Sequence, residues 1–72
     1  MKLPIDCKNV MVTYQNPNNK SQILTKLGFY TTFFNEFAIP PEWKMFNGHL
    51  LPHGFGGHHL KPAEIISWQY TE

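Results

Sequence analysis

Arginine is missing from this sequence, and its six basic residues (Lys2, Lys8, Lys20, Lys26, Lys44 and Lys61) are all lysines spread along the chain. Duplex nucleic acid is gripped through several phosphate contacts at once and read through guanidinium forks on base edges. Neither is on offer, so duplex binding is not expected. The single cysteine, Cys7, cannot form an internal disulfide. With so little cysteine and no signal peptide, the expected compartment is a reducing cytosol. No apolar run approaches the roughly 20 residues that a bilayer-spanning helix requires. Charged residues make up only 15% of the chain and apolar ones 42%, which excludes a disordered tail. What is present is enough for one small domain, residues 1–72, of net charge +1.

Short stretches of alternating character dominate. Val10, Val12 and Tyr14 share one face at period two, with Met11 and Thr13 on the other, which marks a strand. Gln15 to Lys20 contains only turn formers and reads as a hairpin tip. Ser21 to Phe34 reads as a strand bent or bulged at Gly28, or as two strands meeting there. A short helix near 31–38 is the alternative for its end, since Tyr30, Phe33, Phe34 and Phe37 also fall at helical spacing. Thr31-Thr32 and Pro40-Pro41 weigh against that helix. Trp43 to Gly48 reads as a strand entering an Asn-Gly turn, and 49–61 as an irregular segment. Ile66, Trp68 and Tyr70 would line one face of a closing strand. The expected fold is all-β: a small antiparallel sheet or SH3-like barrel of about four to five strands.

Eleven aromatic residues in 72 suit a small core that must bury large side chains. Phe33 and Phe34 would point to opposite faces of a strand, so both faces of the sheet would need cover. Scattered lysines and no basic amphipathic helix argue against a membrane. Another copy of the chain is therefore the expected cover, giving a homo-oligomer.

The unusual segment is 49–61, with His49, His53, His58, His59, Gly54, Gly56 and Gly57. Four histidines invite a metal reading, but paired cysteines and helical His spacing are both missing, so no metal or cofactor is expected. Glycines that bring backbone N–H groups to one spot suit an anion better. No nucleophile is visibly paired with a base, and the five carboxylates show no pairing, so catalysis is not expected.

Leu3-Pro4, Val10 to Tyr14, Gly28-Phe29-Tyr30, Glu42-Trp43 and the Pro62-to-Trp68 finish together resemble a family of small phage and prophage proteins. Its members read "LP…VLVY…A-x-Y…W…" and end near "ITHWMPLP". Here Trp68 is kept, whereas the Pro-Leu-Pro after it and the family's opening Trp-Ile-Ser are missing. The resemblance implies a small all-β fold and a phage setting, and carries over no catalytic residues. By analogy of size and setting it points to anti-defence proteins that sequester nucleotide-derived immune signals in the host cytoplasm. On that reading Trp43 and Phe46 stack a base and Asn47 reads its edge. Gly54, Gly56 and Gly57 with His53, His58, His59 and Lys61 then meet the phosphates. The alternative is an inhibitor that blocks a host protein through an aromatic patch.

Overall fold

The computed structural model describes residues 2–71. In chain order it contains strands β1 (Asn9–Gln15), β2 (Ile23–Thr31), β3 (Glu36–Ile39), β4 (Glu42–Phe46), β5 (His49–His53) and β6 (His58–Leu60). A turn of 3-10 helix (Pro62–Glu64) then leads into β7 (Ile65–Tyr70). The class is all-β and antiparallel, with seven strands in place of four or five. Five strands form one sheet in the order β6-β3-β2-β1-β7, and β4 and β5 form a separate hairpin.

Alternation along β1 organises the sheet. Val10, Val12 and Tyr14 are fully buried. Register sets them opposite Gly28, Lys26 and Leu24 of β2, and opposite Tyr70, Trp68 and Ile65 of β7. Phe37 and Ile39 of β3 and Leu60 of β6 complete the same cluster. The two outermost strands thus feed one core, and only the Lys61–Glu64 turn separates them in sequence. The observed fold is thus the small antiparallel sheet expected, with both outer strands contributing to its core. The Lys61 N–H donates to Glu64 Oε1 at 2.8 Å and holds the connecting turn.

The helix near 31–38 does not form. Residues 32–35 make the turn between β2 and β3, with Asn35 at φ 55°, and Glu36 begins a strand. Thr31 ends β2 in extended backbone, which β-branching favours, and Asn35 tolerates the left-handed region that closes the turn. Phe33 and Phe34 consequently lie on the turn and not on two faces of a strand. They are 83% and 63% exposed and meet edge to face at 4.7 Å.

Gly28 neither bulges β2 against β1 nor divides it into two strands, since β2 runs through it in unbroken register. The irregularity lies across the sheet, where β7 shifts register at Thr13/Tyr14. That shift leaves Ile66 exposed and makes Ile65 the buried residue, so Ile66 does not share the face of Trp68 and Tyr70 as expected.

Segment 49–61 is also more ordered than expected. Asn47 and Gly48 take φ 49° and 79°, the positive values that a two-residue hairpin turn demands, so His49–His53 pairs back on β4. After the glycines, His58–Leu60 pairs with β3. The β4–β5 arm packs on the outer face of the sheet. Trp43 Nε1 donates to the Leu27 carbonyl at 3.2 Å, and its indole meets Phe29 edge to face at 6.5 Å. Part of the outer face is therefore covered by the chain itself, and no copy is needed at Leu27 and Phe29. Among the described residues no helix is long and apolar enough to cross a membrane.

Candidate functional site

Pro40 and Pro41 cannot donate to a sheet ladder, and β3 ends just before them. The β2–β3 ladder therefore spans only Phe29–Thr31. The first half of β2 has no neighbour on that side, and a cleft of about 410 Å³ opens there. Tyr14, Lys26, Trp43 and His58 line it, together with Asn16 and Asn18 from the β1–β2 loop. Its volume lies within the range of small-ligand pockets.

Each of these groups is placed by a local cause. The hydrogen bond to Leu27 uses a carbonyl on the unpaired edge of β2, so the indole is anchored where the sheet stops. Lys26 occupies an inward register position opposite Val12, yet it is exposed because nothing closes over that half of β2. His58 starts β6, and its ring lies 6.2 Å from that of Tyr14. Gly57 sits at φ 84°, and a Cβ there would run into the Ile39 carbonyl oxygen and approach Pro41 Cδ to 3.1 Å. Only glycine lets the chain turn into β6 this close to the di-proline segment.

Among the described residues no carboxylate lines this cleft, while Lys26 and His58 do. Its electrostatics thus favour an anion, and the Trp43 ring adds a flat apolar surface. The Tyr14 hydroxyl is buried with no hydrogen-bond partner among the described residues, and burial pushes the phenol pKa above its ordinary value. Neither neighbouring cavity offers the same combination. A space of about 560 Å³ beside Ala63 and Glu64 has no aromatic residue in its lining, which includes both Lys20 and Glu64, of opposite charge. A recess of about 170 Å³ shares Pro40, Pro41 and His58 with the cleft.

No family model, no curated protein and no solved structure matches this chain.

Of the residues expected from sequence, Trp43, Gly57 and His58 meet in the cleft. Gly54, Gly56 and His59 line the small recess instead. His59 Nδ1 is 3.9 Å from Glu36 Oε1. Phe46 and Asn47 end the β4–β5 arm, Phe46 being 64% exposed, and neither lines the cleft or the recess. His53 pairs across from Glu42 on the arm, and Lys61 precedes the 3-10 turn; both are exposed. Tyr14, Lys26, Asn16 and Asn18 were not anticipated. A legible signal existed for Lys26, because Leu24, Lys26, Gly28 and Tyr30 share a face and a charge among them is out of place. Among the described residues no group of three His, Cys, Asp or Glu side chains converges. The Cys7 thiol is held above its ordinary pKa by desolvation and then by the Asp6 carboxylate, which keeps it protonated and weakly nucleophilic.

Tyr14→Phe gives a prediction of two signs. Removing an unpartnered buried hydroxyl should stabilise the free protein by about 1 kcal/mol. It should also weaken any ligand that hydrogen-bonds at that point. Melting curves of both proteins with and without ligand check both signs, and a variant less stable when free would show that the hydroxyl is satisfied.

Proposed function

We propose that this protein is a non-catalytic binding protein that sequesters a small anion bearing a planar ring, of the nucleotide-derived class, in the Tyr14–Lys26–Trp43–His58 cleft. One observation carries the reading: an anchored indole faces a cleft that holds a lysine and a histidine and, among the described residues, no carboxylate. Trp43 supplies the stacking surface. Lys26 and His58, with the backbone at Gly57, meet the phosphate. Binding of this kind requires no proton transfer. The setting proposed with it, phage anti-defence in the host cytoplasm, rests on the motif resemblance alone.

A thermal-shift panel of nucleoside monophosphates, cyclic dinucleotides and ADP-ribose derivatives tests the binding reading. At a hundred-fold excess over Kd a ligand selective for the folded state adds about 2.7 kcal/mol. For a domain of this size that corresponds to a rise of roughly 10–20 °C in Tm. The absence of a shift across the panel would overturn the reading. A second reading, inhibition of a host protein, is favoured by the exposed Phe33–Phe34 pair at the β2–β3 turn. Aromatic anchors of this kind fill partner pockets at interface hot spots. Loss of host-protein capture in Phe33→Ser/Phe34→Ser, with no nucleotide shift, would select it.

A further inference from the structure

Strand edges differ sharply in how they are defended. Exposed edges are ordinarily blunted by shortness, lysine, proline or cover, because free N–H and C=O groups recruit other strands. β6 spans only three residues, and Lys61-Pro62 follow it at once. The open half of β2 carries Lys26, and Trp43 occupies its Leu27 carbonyl. β4 contains Glu42 and Lys44, and β5 contains Pro52. β7 stands at the other end of the sheet and reads Ile65-Ile66-Ser67-Trp68-Gln69-Tyr70, with no charge and no proline. Its register shift disturbs only the start, and Ser67 to Tyr70 stay in regular ladder with β1. Among the described residues no backbone–backbone hydrogen bond reaches β7 from its outer side. The segment before β1 touches side chains instead, through Trp68 Nε1 to the Lys2 carbonyl and the Ile5 N–H to the Tyr70 hydroxyl.

We infer that β7 pairs antiparallel with β7 of a second copy, joining two sheets across a two-fold axis. Three features select a copy of this chain as the occupant. An uncharged strand set against itself brings no like charges together. Antiparallel pairing also sets the Glu64 end of one strand beside the other strand's Tyr70 end, where Lys8 Nζ lies 4.9 Å from the ring centroid. This charge complementarity occurs twice by symmetry. Lastly, with one undefended edge among the described strands of each copy, the assembly closes at two and does not propagate.

Light scattering and sedimentation of the full chain, from about 1 μM to about 0.5 mM and so across the usual range of dimer affinities, test this. The expected mass is twice the 8.4 kDa of the chain at the upper end. Ser67→Lys and Gln69→Lys each place a lysine from both copies on the exposed face of the paired strands close to the axis, where like charges repel. Each should give a folded monomer by circular dichroism and mass. Met45→Lys, on the arm, should leave the dimer intact. A wild-type monomer at the highest concentration, a dimer that survives both lysine variants while they stay folded, or larger assemblies would each overturn the inference. So would β7 protection that appears only with an added extended peptide. Should both lysine variants unfold, concentration-dependent hydrogen-exchange protection of wild-type β7 amides decides: its presence supports the pairing and its absence overturns it.

Discussion

Gly28→Ala is expected to abolish cooperative folding. In most extended positions this change is mildly stabilising, by about 0.4–1 kcal/mol, because alanine restricts the unfolded chain. Here the added Cβ would overlap the Ala38 carbonyl oxygen and come within 2.7 Å of Ile39 Cδ1. The isoleucine tip can rotate away, but the carbonyl belongs to β3 and moves only if the β2–β3 ladder gives. That ladder has three residue pairs, and β3 carries Phe37 and Ile39 into the core. Overpacking costs about 1–3 kcal/mol and more where backbone must shift. A chain of this size rarely holds more than about 3–5 kcal/mol in total. Loss of the thermal transition in near-ultraviolet circular dichroism is the expected result. A melting temperature at or above wild type would show that β2 and β3 do not approach as closely as described.

Gly28 also shows what the sequence made legible and what it hid. Its presence in a strand pattern signals either a bend or a close backbone approach, and the pattern alone does not choose. A bend, a bulge or a junction of two strands was expected, whereas the close partner, Ala38, lies ten residues away and is visible only once β3 exists. The same holds for 32–35. Alternation through Phe33 and Phe34 reads as strand because turn chemistry there is carried by a single residue, Asn35. Where alternation was strong and turns were rich in Asn, Pro and Gly, as at Val10 to Tyr14 and Asn47-Gly48, strand and turn were both readable in advance.

The candidate site was readable only in part, for a related reason. Trp43 and His58 stand out by composition, but what unites them with Tyr14 and Lys26 is the early end of β3. Residues on either side of that gap come from four separate stretches of chain. Glycine and histidine density drew attention to 49–61 as a unit, whereas the structure distributes that segment among an arm, a recess and the cleft. A cluster in sequence need not be a cluster in space, because β-pairing sends alternate residues to opposite faces.

Lys26→Glu follows from that geometry and carries the largest expected effect on binding. The residue is exposed and its register partner Val12 is held by the core, so the fold should survive unchanged. Removing a charge-assisted contact costs about 1.5–3 kcal/mol, and a carboxylate in its place adds repulsion. Affinity for the nucleotide giving the largest thermal shift should fall by about a hundred-fold or more, at 1.4 kcal/mol per factor of ten. Lys44→Glu on the arm makes the same change in net charge away from the cleft, so it separates local contact from long-range attraction. Wild-type affinity should also weaken with added salt, which screens the Lys26 contact, and the Glu variant should lose that dependence. Calorimetric titration of the three proteins at two ionic strengths measures all of this. Equal affinities for wild type and Lys26→Glu would show that the nucleotide binds outside this cleft.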